Sequence, residues 1–217
     1  MRTGFLTIVT AAALAACGGG GGSSPNPLPS GTPTPVPTAT GTPPPFQPLA
    51  VGDQWTYACG LRGQPSTFTI QNSIGGTTTV NGQTAYEFAL QIPSSPTQIA
   101  TTTMLLANDA QNNLTIYGYL VNGQIQAVKP TIIAGSNPQD GQDYSYPAPD
   151  GSIVSRTFEK FTSTNPTPYG GVYPRVAVYY ETNATHNYGY DAGLGIAEED
   201  HGPNFQYDCL LSALVLK

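Results

Sequence analysis

Two copies of one tetrapeptide limit what this chain can become. Val80-Asn81-Gly82-Gln83 and Val121-Asn122-Gly123-Gln124 each set Asn-Gly between runs rich in β-branched and aromatic residues. Asn and Gly both accept positive φ, which a two-residue turn between antiparallel strands requires. Runs 77–80 and 84–91 flank the first pair, and runs 114–120 and 124–128 flank the second. Similar runs stand at 54–59, 66–72, 104–107, 153–158, 172–182, 193–198 and 206–216. No segment keeps a helical period over three turns, and one short helix at 95–104 is the sole helical expectation. The pattern predicts an all-β domain over 46–217, as an antiparallel sandwich or a curved, partly closed barrel-like sheet.

Only 9% of the 217 residues are charged, far below the usual quarter. Thr, Ser, Asn, Gln and Tyr must therefore supply the polar surface. This balance is typical of exported β proteins. The net charge is -6, with no basic stripe interleaved with aromatics, so nucleic acid is not an expected partner.

Arg2 and the apolar run 5–16 have the layout of a secretory signal, and the run is too short to span a bilayer as a helix, which takes about 20 residues. It closes on Leu14-Ala15-Ala16-Cys17-Gly18, which resembles the lipobox of bacterial lipoproteins. Small residues before the cut let the backbone enter the protease, and the Cys17 thiol receives the lipid. The resemblance implies removal of residues 1–16 and a membrane anchor of acyl chains, palmitate among them, on Cys17. Two chains or more hold firmly where one holds marginally. No acidic residue follows Cys17, which by analogy with enterobacterial sorting favours the outer over the inner membrane. The domain would then face the periplasm or the cell surface.

Residues 17–45 read as a disordered tether. The glycine run 18–22 is coil-like, and the Pro/Thr-rich stretch to Pro45 is a stiffer spacer without apolar side chains for a core. The domain then opens on Pro48-Leu49-Ala50-Val51-Gly52-Asp53-Gln54-Trp55-Thr56-Tyr57. A weak echo follows at Pro138-Gln139-Asp140-Gly141-Gln142-Asp143-Tyr144-Ser145-Tyr146. Each has a proline, a turn glycine, and two aromatics spaced to share one strand face. The pair reads as two strand starts in related halves of a sheet, with a duplicated ligand site as the sharper alternative.

The Pro-Leu-x-x-Gly-x-x-Trp-x-Tyr opening resembles that of a group of β-rich bacterial lipoprotein domains. These also carry a late Gly-x-Gly, represented here by Gly193-Leu194-Gly195. Through a looser similarity of that group to the curved sheets of periplasmic lipoprotein carriers, the resemblance implies a sheet able to shelter an acyl chain. Cys59 and Cys209 are additions to the group's pattern. With Cys17 lipidated, these two are expected to form one disulfide in an oxidising compartment, tying the first strand to the last.

Chemistry-bearing motifs are sparse. Gly-x-Ser-x-Gly, His-Glu-x-x-His, phosphate-loop and dinucleotide signatures are absent. A hydrolase would have to combine His186 or His201 with an unmarked serine such as Ser145 or Ser155. Glu198, Asp200 and His201 are weak metal candidates, because adjacent strand residues face opposite ways and a solvated turn explains Glu198-Glu199-Asp200-His201 equally well. Asp140, Asp143 and Asp150 suit ordinary turn chemistry better than a Ca²⁺ loop. Tyr144, Tyr146, Tyr179, Tyr188 and Tyr190 could form an aromatic binding surface, or simply fill a strand face. The expected function is a non-enzymatic binding or structural module with no cofactor, meeting an envelope protein or glycan. A carrier or sensor of a hydrophobic ligand is the alternative, and a hydrolase the third reading.

Overall fold

Both Asn-Gly pairs reverse the chain as expected in the computed structural model. It describes residues 45–161, 176–181, 186–191, 193–202 and 206–217, with backbone alone at 159–161 and 176–181. Asn81 and Asn122 each have φ of 51°, and Gly82 and Gly123 have φ of 82° and 76°. Two successive positive φ values match the twist of the flanking strands, so the strands stay paired right up to each turn.

The first six strands are β1 (Gln54–Leu61), β2 (Phe68–Val80), β3 (Gln83–Ser95), β4 (Gln98–Asn108), β5 (Leu114–Val121) and β6 (Gln124–Ala134). The second six are β7 (Asp143–Pro147), β8 (Ile153–Phe161), β9 (Val176–Glu181), β10 (His186–Asp191), β11 (Gly195–His201) and β12 (Tyr207–Val215). All join one antiparallel sheet in the order β6-β5-β4-β3-β2-β1-β12-β11-β10-β9-β8-β7. The protein is thus all-β, and of the two expected architectures it adopts the curved, partly closed sheet. Each half is a six-strand meander, and β1 pairs with β12 to join the halves.

The sheet rolls until its edge strands approach. The Tyr119 hydroxyl of β5 donates to Pro147 O of β7 at 2.8 Å, and Gln126 Nε2 of β6 donates to Pro149 O at 2.9 Å. No backbone ladder joins β6 to β7 among the described residues. β3 and β11, which do not pair in the sheet, also approach each other.

One apolar cluster fills that interior, with side chains from both meanders. The echoing segments explain themselves here. They open β1 and β7, the first strand of each meander, and Trp55, Tyr57, Tyr144 and Tyr146 all point inward. Trp55 packs edge-on against Phe88 with centroids 5.8 Å apart.

Three expectations need correction. The 95–104 helix is absent: Gln98, Ile99 and three consecutive threonines begin β4, whose pairing with β3 outweighs any local helical tendency. The break between 66–72 and 77–80 is also absent. Gly75 and Gly76 form a register shift within the single strand β2. Residues 198–201 are no solvated turn, because they form the end of β11, paired on both sides with β10 and β12.

Candidate functional site

A one-residue bulge in β11 creates the most chemically loaded part of the interior. Gly189 pairs with Glu198 and Tyr190 with Ile196, which leaves Ala197 without an opposite residue. An extra residue inverts the alternation of every side chain beyond it. Ile196 faces inward before the bulge, and Glu199 and His201 face inward after it, both fully buried.

The bulge therefore splits the weak metal set. Asp200 lies on the outer face, where Arg62 Nη2 approaches its Oδ2 at 2.9 Å and Asn187 Nδ2 donates to it at 3.0 Å. Arg62 Nε also donates to Asp208 Oδ1 at 2.9 Å. Burial, followed by the neighbouring Asp208, raises the Asp200 carboxyl above its ordinary range. Glu198 is solvent-exposed. His201 stands on the other side of the sheet, so Glu198, Asp200 and His201 do not converge. No group of three or more His, Cys, Asp or Glu side chains converges among the described residues.

Inside, polar contacts run in series. Asn72 Nδ2 of β2 donates to Glu199 Oε1 at 2.5 Å, and Glu199 Oε2 lies 2.7 Å from His201 Nε2. His201 Nδ1 lies 3.1 Å from Nδ1 of His186, its direct cross-strand neighbour. Asn72 and His201 are fully buried, while His186 is half-buried. The edge of Tyr188 meets the His201 ring, with centroids 6.1 Å apart. Tyr57 donates its hydroxyl to Ile196 O at 2.8 Å. Burial, then the charge of Glu199, holds the Tyr57 phenol well above its usual value, so it remains a donor.

The sequence brings these groups together through its two named motifs. Trp55 Nε1 donates to Leu194 O at 2.6 Å, so the Trp-x-Tyr opening grips the late Gly-x-Gly segment. Gly195 has φ of 94°, and a Cβ there would lie 2.8 Å from the Gln47 amide and 2.9 Å from Trp55 Nε1. Only glycine allows that approach. Gln47 is itself buried, and its Oε1 accepts from Ile196 N at 3.3 Å.

The tyrosines are a further correction. Tyr144, Tyr146, Tyr188 and Tyr190 belong to the packed interior, because the inward face of a rolled sheet needs large side chains to fill it. Their exposures of 8, 4, 1 and 2% leave no aromatic platform. The side chain of Tyr179 lies outside the described residues. Tyr146 and Tyr188 instead sandwich the buried Arg156 guanidinium, 4.9 and 4.8 Å from the ring centroids, a cation–π arrangement. Arg156 helps line a cavity of about 10 Å³ with Phe88, Met104 and Ile133, room for about one water.

The hydrolase residues stay apart. Ser145 and Ser155 pair with each other across β7 and β8, their hydroxyls 3.1 Å apart on the exposed face. His201 faces the interior. Asp143 accepts from Thr157 Oγ1 at 2.6 Å, and Asp150 accepts from Ser152 N and Oγ at 2.9 and 2.6 Å, so both serve local structure.

Cys59 and Cys209 stand opposite each other in β1 and β12 and form the expected disulfide. Cys17 and the remainder of 1–44 lie outside the described residues, as do the alternatives for the tether.

Sequence reasoning missed Glu199, Asn72 and Arg156 as interior groups. Asn72 carried a readable signal, since it alternates with the inward residues Ile70 and Ile74. Glu199 had none, because the bulge that aims it inward is a property of strand pairing. The fold and site together define a rolled twelve-strand antiparallel sheet with a filled aromatic interior and a buried histidine–carboxylate chain. No protein-family model, curated protein or solved structure matches the chain.

Proposed function

We propose that this protein is a lipid-anchored envelope protein whose rolled sheet is a non-enzymatic binding or structural module, carried on residues 17–45 as a tether. The observation supporting this reading is the filled interior. Ligand pockets run to about 300–1,000 Å³. The cavity beside Arg156, among the described residues, offers about 10 Å³, too little for an acyl chain. An envelope protein or glycan would therefore meet the outer face. The Cys59–Cys209 disulfide suits an oxidising compartment. Lipid on Cys17 would attach the chain to a membrane, in our reading the outer one.

One set of fractionations tests both halves of the proposal. Wild-type protein should sediment with membranes and take up labelled palmitate, and Cys17→Ser should lose both. Wild type purified from detergent should carry no lipid beyond its covalent anchor. A Cys17→Ser protein that still sediments and is still labelled overturns the anchor. One non-covalent acyl lipid per chain overturns the solid module in favour of the carrier.

A further inference from the structure

The outer face of β10, β11 and β12 gathers carboxylates faster than it gathers cations. Asn187, Asp200 and Asp208 stand in one row across the three strands, and Gly189, Glu198 and Leu210 in the next. Among the described residues, the Arg62 guanidinium is the cation that meets them, shared between Asp200 and Asp208. Asp191, beside the inward Tyr190, is 1% exposed and lies near enough to Glu198 to feel its charge. Both Asp191 carboxyl oxygens, Asp200 Oδ1 and Asn187 Oδ1 are buried with no hydrogen-bond partner among the described residues. Like charges directly opposite each other, as Asp200 and Asp208 are, cost stability. A sheet face that keeps such a pair, and leaves four buried acceptor oxygens unanswered behind it, suits a cation from outside the chain.

We propose that this face takes a basic segment of another envelope protein, seating a Lys or Arg side chain between Glu198 and Leu210. The inference rests on the reading of the rolled sheet as a binding module and names its surface and the chemistry of its partner. Leu210 is 53% exposed and points outward between the inward Cys209 and Leu211. Glu198 stands directly opposite it and is exposed. A Lys or Arg side chain matches that pairing, laying its methylenes on Leu210 while its charge meets Glu198. Gly189 beside Glu198 and Ala58 beside Leu210 keep the surface low on either side, where the segment's backbone would pass. Asp191 and Asp200 lie beneath the surface and act through their field, which water screens little there. Burial first, and neighbouring carboxylates second, raise the Asp191, Glu198 and Asp200 carboxyls, so an incoming cation restores their charge. A neutral glycan brings no such charge. The absence of three converging metal-ligand side chains among the described residues favours a side-chain cation over a metal ion.

The test measures fluorescence anisotropy of a labelled peptide of alternating Lys and Ser with the mature full chain in non-ionic detergent. The peptide should bind, less tightly as salt is added, and a Glu–Ser counterpart should not. Glu198→Lys should weaken binding at least about 10-fold, and Leu210→Ser about 5-fold. Asp140→Lys, the same charge reversal at an exposed position between β6 and β7, should change it less than about 2-fold. Carbodiimide coupling followed by mass spectrometry should join the peptide's amines to Glu198. Near-ultraviolet circular dichroism establishes that each variant folds. Absence of binding overturns the proposal. Equal weakening by Glu198→Lys and Asp140→Lys also overturns it, because it reports diffuse attraction to a negative chain. So does one-for-one displacement of the peptide by Ca²⁺ at about 1 mM, which would assign the face to a hard ion. None of these outcomes alters the sedimentation or lipid content that test the anchored module itself.

Discussion

Gly195 and Asp191 show how much rests on single residues near the end of β10. Gly195 has φ of 94° and is pressed against Gln47 and Trp55. Gly195→Ala must therefore displace the indole that bonds Leu194 O and also strain the backbone. We expect a loss of about 2 kcal/mol or more, read from chemical denaturation midpoints. Asp191 is buried, and neither of its carboxyl oxygens has a hydrogen-bond partner among the described residues. Burial first, and Glu198 second, push its pKa up to about 7. Because the folded-state value is raised, the folded chain holds this proton more tightly than the unfolded chain. Its contribution to stability is thus lost as pH rises from about 4 toward 7, with the full penalty present above that. Asp191→Asn mimics the protonated acid. It should raise the melting temperature at about pH 8 and change little at about pH 5. Equal effects at the two pH values would assign the shift to something other than this carboxyl.

Among the elements, β1 and β12 carry the junction between the meanders. Their register runs from Gln54 opposite Val215 to Leu61 opposite Tyr207, and Cys59–Cys209 closes a separation of 150 residues. Cross-linking so long a loop restricts the unfolded chain, by up to about 5 kcal/mol on loop-closure entropy. Reduction, or Cys59→Ala with Cys209→Ala, should lower the denaturation midpoint while leaving the β-sheet circular dichroism intact. Cys59 and Cys209 are two members of an interior cluster whose other side chains stay in place to hold the sheet. At the same scale, the β11 bulge decides which of four consecutive polar residues face the interior. Glu199 and His201 enter the core, and Asp200 meets Arg62 outside. Strand propensity along 193–201 is the same with or without the bulge, so no local rule locates it. It is set by how β11 fits β10 on one side and β12 on the other.

At the scale of the molecule, much of the fold was written locally. Asn-Gly at 81–82 and 122–123 specifies tight reversals by backbone sterics alone, and those reversals commit the flanking runs to antiparallel pairing. Period-two aromatics at 55 and 57 and at 144 and 146 mark an inward face at the start of each meander. The two cysteines far apart in the chain announced a first-to-last strand contact. Those features determine an all-β, antiparallel, disulfide-closed domain, and the lipobox proposed at Leu14-Ala15-Ala16-Cys17 is a linear motif whose reading needs no fold. Tertiary structure alone decided the rest. The number of strands that share one sheet, and how far it rolls, follow from twist and from filling the interior, which are properties of all twelve strands at once. That rolling turned Tyr144, Tyr146, Tyr188 and Tyr190 from a candidate surface into core. It also brought Asn72 of β2 against Glu199 of β11, residues 127 apart in sequence. That Glu199 and His201 are buried cannot be foreseen from their neighbours in the chain, because the bulge that turns both inward and the Asn72 amide that completes Glu199 depend on strand pairing.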